Sequence, residues 1–142
     1  PRVFRMMKTE EDRPATGEGS MTLSPRVPAD IRPDENGLVY PGPHGRSVRR
    51  TLEALISLSV PGTMIPKRLR HLAPHATGSE QLRAWRMGEG PFERKPMTTE
   101  IVLWPDPDDS SHGFLSPGIS AGFDSFRKAL FNTQDRWIDV EP

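Results

Sequence analysis

Apolar positions recur along this chain in short bursts rather than in long stripes. Val3 to Met7, interrupted by Arg5, has the length of a first strand. Lys8 to Glu18 is charged, lacks an apolar period and reads as a loop. Residues 24–37 hold Pro25, Pro28, Pro33 and Gly37, which exclude long regular elements. Leu38-Val39-Tyr40 is a brief apolar segment, followed by the tight loop Pro41-Gly42-Pro43-His44-Gly45. Ser47 stands where a helix cap would, ahead of Val48, Leu52, Leu55 and Ile56 at helical spacing. A helix is therefore predicted from Val48 to about Leu58, stopped by Pro61-Gly62.

The second half repeats this texture. Met64 to Leu72 mixes apolar residues with Lys67, Arg68, Arg70 and His71, and fits a helix and a strand alike. Thr77-Gly78-Ser79 is a turn, and Leu82 to Met87 a short strand with Leu82, Ala84 and Arg86 on one face. Thr98 to Trp104 is the clearest strand, rich in β-branched and aromatic residues and ended by Pro105. Asp106 to Gly118 reads as an acidic, Pro- and Ser-rich loop. Ser120 to Phe131 is predicted helical, with Phe123, Phe126, Leu130 and Phe131 near one face, and Trp137-Ile138 is a terminal anchor. No internal repeat is present. The pattern gives an α+β chain with a small sheet and two helices.

Composition narrows the classes of function. A length of 142 residues suits one domain spanning 1–142. With no cysteine, disulfides, thiolate metal sites and cysteine nucleophiles are excluded, and a reducing, cytoplasmic working compartment is favoured. Lys plus Arg and Asp plus Glu both number 19, a balance that argues against a dedicated nucleic-acid binder but leaves room for a local basic patch. No apolar run approaches the roughly 20 residues of a membrane span. The 16 prolines and 12 glycines predict a loop-rich fold, short of a disordered chain.

Common motifs fail. His44, His71, His75 and His112 do not sit at metal-ligand spacing, since Pro74 breaks the one four-residue pair, and they read as loop histidines with no metal. Gly-Pro-His-Gly-Arg-Ser lacks the Gly-Lys-Ser/Thr of a phosphate loop, and there is no Gly-x-Ser-x-Gly elbow. Asp106, Asp108 and Asp109 lack the glycine and distal glutamate of a calcium loop, so they read as a solvated acidic loop.

Order and spacing carry more. Four segments matter: Phe4-Arg5; Asn36-Gly37-Leu38-Val39-Tyr40-Pro41 followed by Gly45-Arg46-Ser47-Val48; Val60-Pro61-Gly62-Thr63-Met64-Ile65-Pro66 followed by Leu69; and Glu100 to Pro105, Phe123 to Phe131, then Asp135-Arg136-Trp137. In that order they resemble the small Tse-type toxin domain with an ADP-ribosyltransferase fold, whose relatives include a type VI secretion effector and many fungal proteins. Glu100-Ile101 stands where that family often has His-Tyr. The resemblance implies a small twisted, mainly antiparallel sheet with flanking helices. It implies NAD as cofactor, an acceptor macromolecule, a neutralising immunity protein, and action in the cytoplasm of a target cell after delivery by secretion.

For such chemistry Arg5 would hold the pyrophosphate bidentately, its plain alternative being a surface arginine on an edge strand. Ser47 behind Gly45 would serve the nicotinamide side and catalysis, or simply cap a helix. Glu100 would be the catalytic carboxylate favouring charge at the anomeric carbon, or an exposed strand residue. Tyr40, in the cofactor site, or Trp104 would stack on nicotinamide, or both belong to the core. Arg46, Arg49 and Arg50 would meet phosphates, or form a solvated helix face. Two other classes compete: a non-catalytic interaction module with a degenerate transferase fold, and an RNA-acting toxin using Lys67, Arg68, Arg70 and His71.

Overall fold

The computed structural model describes residues 1–57 and 82–140. Its strands are β1 (Val3–Glu10), β2 (Arg13–Pro14), β3 (Leu38–Val39), β4 (Arg46–Arg49), β5 (Leu82–Met87), β6 (Lys95–Pro96), β7 (Ile101–Pro105), β8 (His112–Pro117), β9 (Ala121–Gly122) and β10 (Ile138–Val140). Its α-helices are α1 (Leu52–Ile56) and α2 (Phe123–Phe131), with a 3-10 turn at Gln134–Arg136. The main sheet runs β10-β5-β1-β4-β8-β7-β6, β2 pairs with β1, and β3 and β9 form a separate ribbon. Each of these pairings is antiparallel. The described residues are thus α+β, a mainly antiparallel sheet with two α-helices.

Strand alternation sorts the residues of the sheet between two faces. Val3 and Met7 of β1, Val48 of β4, Ile101 and Leu103 of β7 and Leu115 of β8 are buried on the inner face. Phe126, Ala129 and Leu130 of α2 join the same core, with Trp137 after the helix. Truncating a residue such as Leu130 would cost about 2–5 kcal/mol, the usual range for a close-packed core leucine. Trp85 on β5 joins them, and its Nε1 donates to the carbonyl of Met7 at 3.2 Å.

Several elements depart from the sequence pattern. The helix expected from Val48 is a strand followed by one helical turn. Arg46 to Arg49 pair with β8, and Arg49 also pairs with Phe4 of β1. Sheet partners on both sides override the helical spacing of Val48, Leu52, Leu55 and Ile56. Thr51, not Ser47, is the helix cap, its side chain accepting from Ala54 N–H.

The acidic 106–118 stretch is not all loop. Its second half is β8, placed between β4 and β7. The charged stretch after Met7 likewise contributes the end of β1 and all of β2, joined through Glu11 and Asp12 in the left-handed region. Both differences have one cause: pairing supplied by neighbouring strands leaves little trace in local composition. The clearest predicted strand begins later, at Ile101, because Thr98 Oγ1 accepts from the N–H groups of Glu100 and Ile101 and closes a turn there. The last long helix begins at Phe123, since Ala121 and Gly122 pair with β3. Leu58, the Val60 to Leu69 segment, the Lys67-Arg68-Arg70-His71 cluster, His75 and the turn at Thr77 lie outside the described residues. No helix among the described residues is long and apolar enough to cross a membrane.

Candidate functional site

Chemistry concentrates where β4 and β8 meet on the outer face. Gly45 leads into β4 with a φ of +125°, and a Cβ there would sit 2.1 Å from the carbonyl oxygen of Leu115. Only glycine permits both that backbone and that approach. The strand then alternates, with Arg46 and Val48 inward and Ser47 and Arg49 outward. Ser47 stands opposite Phe114 of β8, and Arg49 opposite His112.

Ser47 Oγ lies 2.6 Å from His112 Nε2. His112 Nδ1 lies 2.7 Å from Asp106 Oδ2. Three side chains thus form one continuous hydrogen-bonded line. An ionised carboxylate only accepts, so Nδ1 carries a proton toward Asp106. In the neutral imidazole Nε2 is then an acceptor, aimed at the serine hydroxyl. The imidazole and carboxylate side chains are 14% and 19% exposed, so the pair is shielded yet reachable. The His112 hydrogen bond, helped by Asp108 N–H, holds the Asp106 carboxyl below the usual aspartate range. Phe114 meets the His112 ring edge-on at 4.7 Å. Arg49 bonds Asp109 at 3.2 Å and Ser111 Oγ at 3.4 Å, which ties the 106–112 turn to β4.

Arg5 is placed differently. It points inward, 7% exposed, and donates to the carbonyls of Ser47 at 2.8 Å, Ser20 at 2.7 Å and Thr22 at 3.0 Å. Arg46 lies beside it, donating to Thr22, Gly19 and Ser20 and to Asp30 Oδ2 at 2.5 Å. The two guanidiniums fasten the 19–24 segment to the sheet. Burial first, and the Arg46 charge second, draw Arg5 down to about 9. Burial likewise lowers Arg46, against the opposing pull of Asp30.

The other sequence candidates are dispersed. Glu100 precedes β7, and its carboxylate makes no hydrogen bond or ion pair among the described residues. It borders a groove of about 170 Å3 with Pro117, Ile119 and Phe126, which contains neither Arg5 nor Ser47. Trp104 of β7 faces Phe114, so Glu100 is set four residues, about 13 Å of extended chain, from the Ser47 row. Tyr40 is exposed, and its hydroxyl bonds Asp34, which raises the phenol and lowers the carboxyl. Arg5 and Ser47 touch, but through the Ser47 carbonyl, with their side chains on opposite faces of the sheet. The local sequence makes His112 and Asp106 loop residues; the one nearby apolar signal is the adjacent pair Phe114-Leu115, masked by the Asp, Pro and Ser around it.

Comparison with family models, with curated proteins and with solved structures finds no match to this chain. The likeness to a toxin domain therefore rests on the four sequence segments alone.

Proposed function

We propose that the outer face of the sheet is the catalytic surface of a serine-dependent hydrolase or acyltransferase. The observation that carries this reading is the unbroken line from Ser47 Oγ through His112 to Asp106. Ser47 Oγ attacks an ester carbonyl carbon, and its proton passes to His112 Nε2. Asp106 holds the ring in register and stabilises the imidazolium. The proton then goes to the departing alkoxide, leaving an acyl-Ser47. Water, deprotonated by the same imidazole, releases the acid and restores the serine. Arg49, across from His112 on the same face, would have to turn from Asp109 and Ser111 Oγ to meet charge developing on oxygen. The test is labelling with a fluorophosphonate, read by mass spectrometry. Modification of Ser47, lost in His112→Ala, supports the reading; a folded wild-type protein that stays unlabelled rejects it.

A second reading makes the chain an NAD-consuming transferase of ADP-ribosyltransferase-like fold, a toxin acting in the cytoplasm of a target cell. The α+β class with a mainly antiparallel sheet supports it, although Arg5, Ser47 and Glu100 do not share one cleft. With the Arg5 guanidinium committed to carbonyls, the pyrophosphate would need another cation. Nicotinamide release from NAD, abolished by Glu100→Gln, would select this reading over the first.

A further inference from the structure

Near the Ser47 row, β1 and β5 form a groove of about 610 Å3 that neither reading uses. Phe4, Arg2, Arg50 and Arg86 line it, together with Leu52 and Glu53. Phe4 stands at the centre of this arrangement: Arg86 is its partner across β5, and Arg2 lies two residues earlier on the same side of the chain. Arg50 enters from the end of β4. None of the three arginine side chains has a hydrogen-bond or ion-pair partner among the described residues. Of the two acids at the rim, Asp139 meets Arg83 at 3.7 Å, which leaves Glu53 alone against three cations.

Unpaired guanidiniums around one half-buried ring have a specific complement. Arginine binds phosphate oxygens bidentately, and a phenyl face accepts a planar base. The volume lies within the range of small-molecule sites. Three cations and one aromatic lining a single groove suit a single nucleotide with its phosphates better than an extended strand. We infer that this groove binds a nucleoside diphosphate or triphosphate. A nucleotide would occupy it whether or not Ser47 is a nucleophile.

Calorimetric titration of the whole chain with ADP tests this. Saturable binding is expected, weakening as salt rises. Adenosine should bind about tenfold or more weakly, as should ADP to Arg50→Ala or Arg86→Ala, each having lost a charged hydrogen bond. Phe4→Leu should weaken ADP while leaving inorganic pyrophosphate within about twofold, since only the base loses its platform. Lys128→Ala removes an equal charge from α2 and should leave ADP binding within about twofold. Arg50 is exposed, so its variant reports binding even where Phe4→Leu does not fold. Absence of saturable ADP binding to the folded protein overturns the inference. So does an equal loss in Lys128→Ala, or a single-stranded oligonucleotide binding more than about tenfold tighter than ADP.

Discussion

Ser47 Oγ and His112 Nε2 stand 2.6 Å apart although 65 positions separate them in sequence. The contact is a diagonal across β4 and β8, within reach because diagonal neighbours on one sheet face lie only some 7–8 Å apart at their backbones. Asp106 fixes the far side of the ring, so Asp106→Asn is the sharpest probe of the line. The asparagine keeps the shape and the acceptor for Asp108 N–H, but it cannot supply the charge that stabilises an imidazolium. Fluorophosphonate labelling of Ser47 should slow by about 10² or more in a variant that stays folded at neutral pH, its thermal unfolding lowered only by the stability the ionised Asp106 contributes. Equal labelling rates in parent and variant would remove Asp106 from the mechanism.

Arg5 gives a prediction of the opposite kind, in stability rather than rate. Its guanidinium serves three main-chain carbonyls in a buried site. Charged hydrogen bonds contribute about 1.5–3 kcal/mol each, and the carbonyls left behind would be desolvated without partners. Arg5→Ala should therefore lower the unfolding free energy by about 3 kcal/mol or more, and Arg5→Lys should recover only part, lacking the planar fork. Chemical denaturation measures both. An Arg5→Ala protein of parental stability that had lost NAD affinity would instead make Arg5 a ligand residue.

How legible this was in sequence depends on where the determinants lie. Strands with apolar residues of their own, such as the run Val3 to Met7 and the alternating Leu82 to Met87, announce themselves, as does the aromatic face of α2. The strands β4 and β8 do not, because Arg-Ser-Val-Arg and His-Gly-Phe-Leu-Ser-Pro become strands only by pairing with each other and with β1 and β7. The Ser47–His112 contact is built across those two strands, so it was hidden for the same reason. Ser47 was legible as a candidate from its place behind Gly45, but its partners were not. Arg5 was legible as special, yet its inward direction depends on the carbonyls of residues 20–22 and of Ser47, which no local pattern reveals.

The helix cap separates the two accounts of Ser47. Thr51 Oγ1 accepts from Ala54 N–H at 3.1 Å and starts α1. Thr51→Ala should cost about 1 kcal/mol, the usual loss of a capping hydroxyl. Ser47→Ala removes no cap. It should abolish labelling while leaving the circular-dichroism signal of α1 unaltered. If Ser47→Ala melted α1 and Thr51→Ala did not, the β4 register would be wrong.

Acid titration tests the other end of the line without reference to any substrate. Hydrogen bonds from His112, and then from Asp108 N–H, favour the ionised Asp106, so its folded value lies below the ordinary 3.8. The unfolded chain then binds the proton first as pH falls, and stability declines where the unfolded state holds more protons. The contribution of Asp106 is accordingly complete above about 3.8, the ordinary value, and is lost as pH drops through its lower folded value. The parent should lose stability more steeply than Asp106→Asn below that point, and the two should run parallel above it while the histidine states match. Asp109 is lowered too, by Ser111 first, and remains in both proteins, so it cancels in the difference. Urea denaturation from neutral pH down through the acid range gives the two slopes. Parallel curves throughout would mean that Asp106 gains nothing from His112 in the folded chain, and the hydrogen-bonded line would lose its anchor.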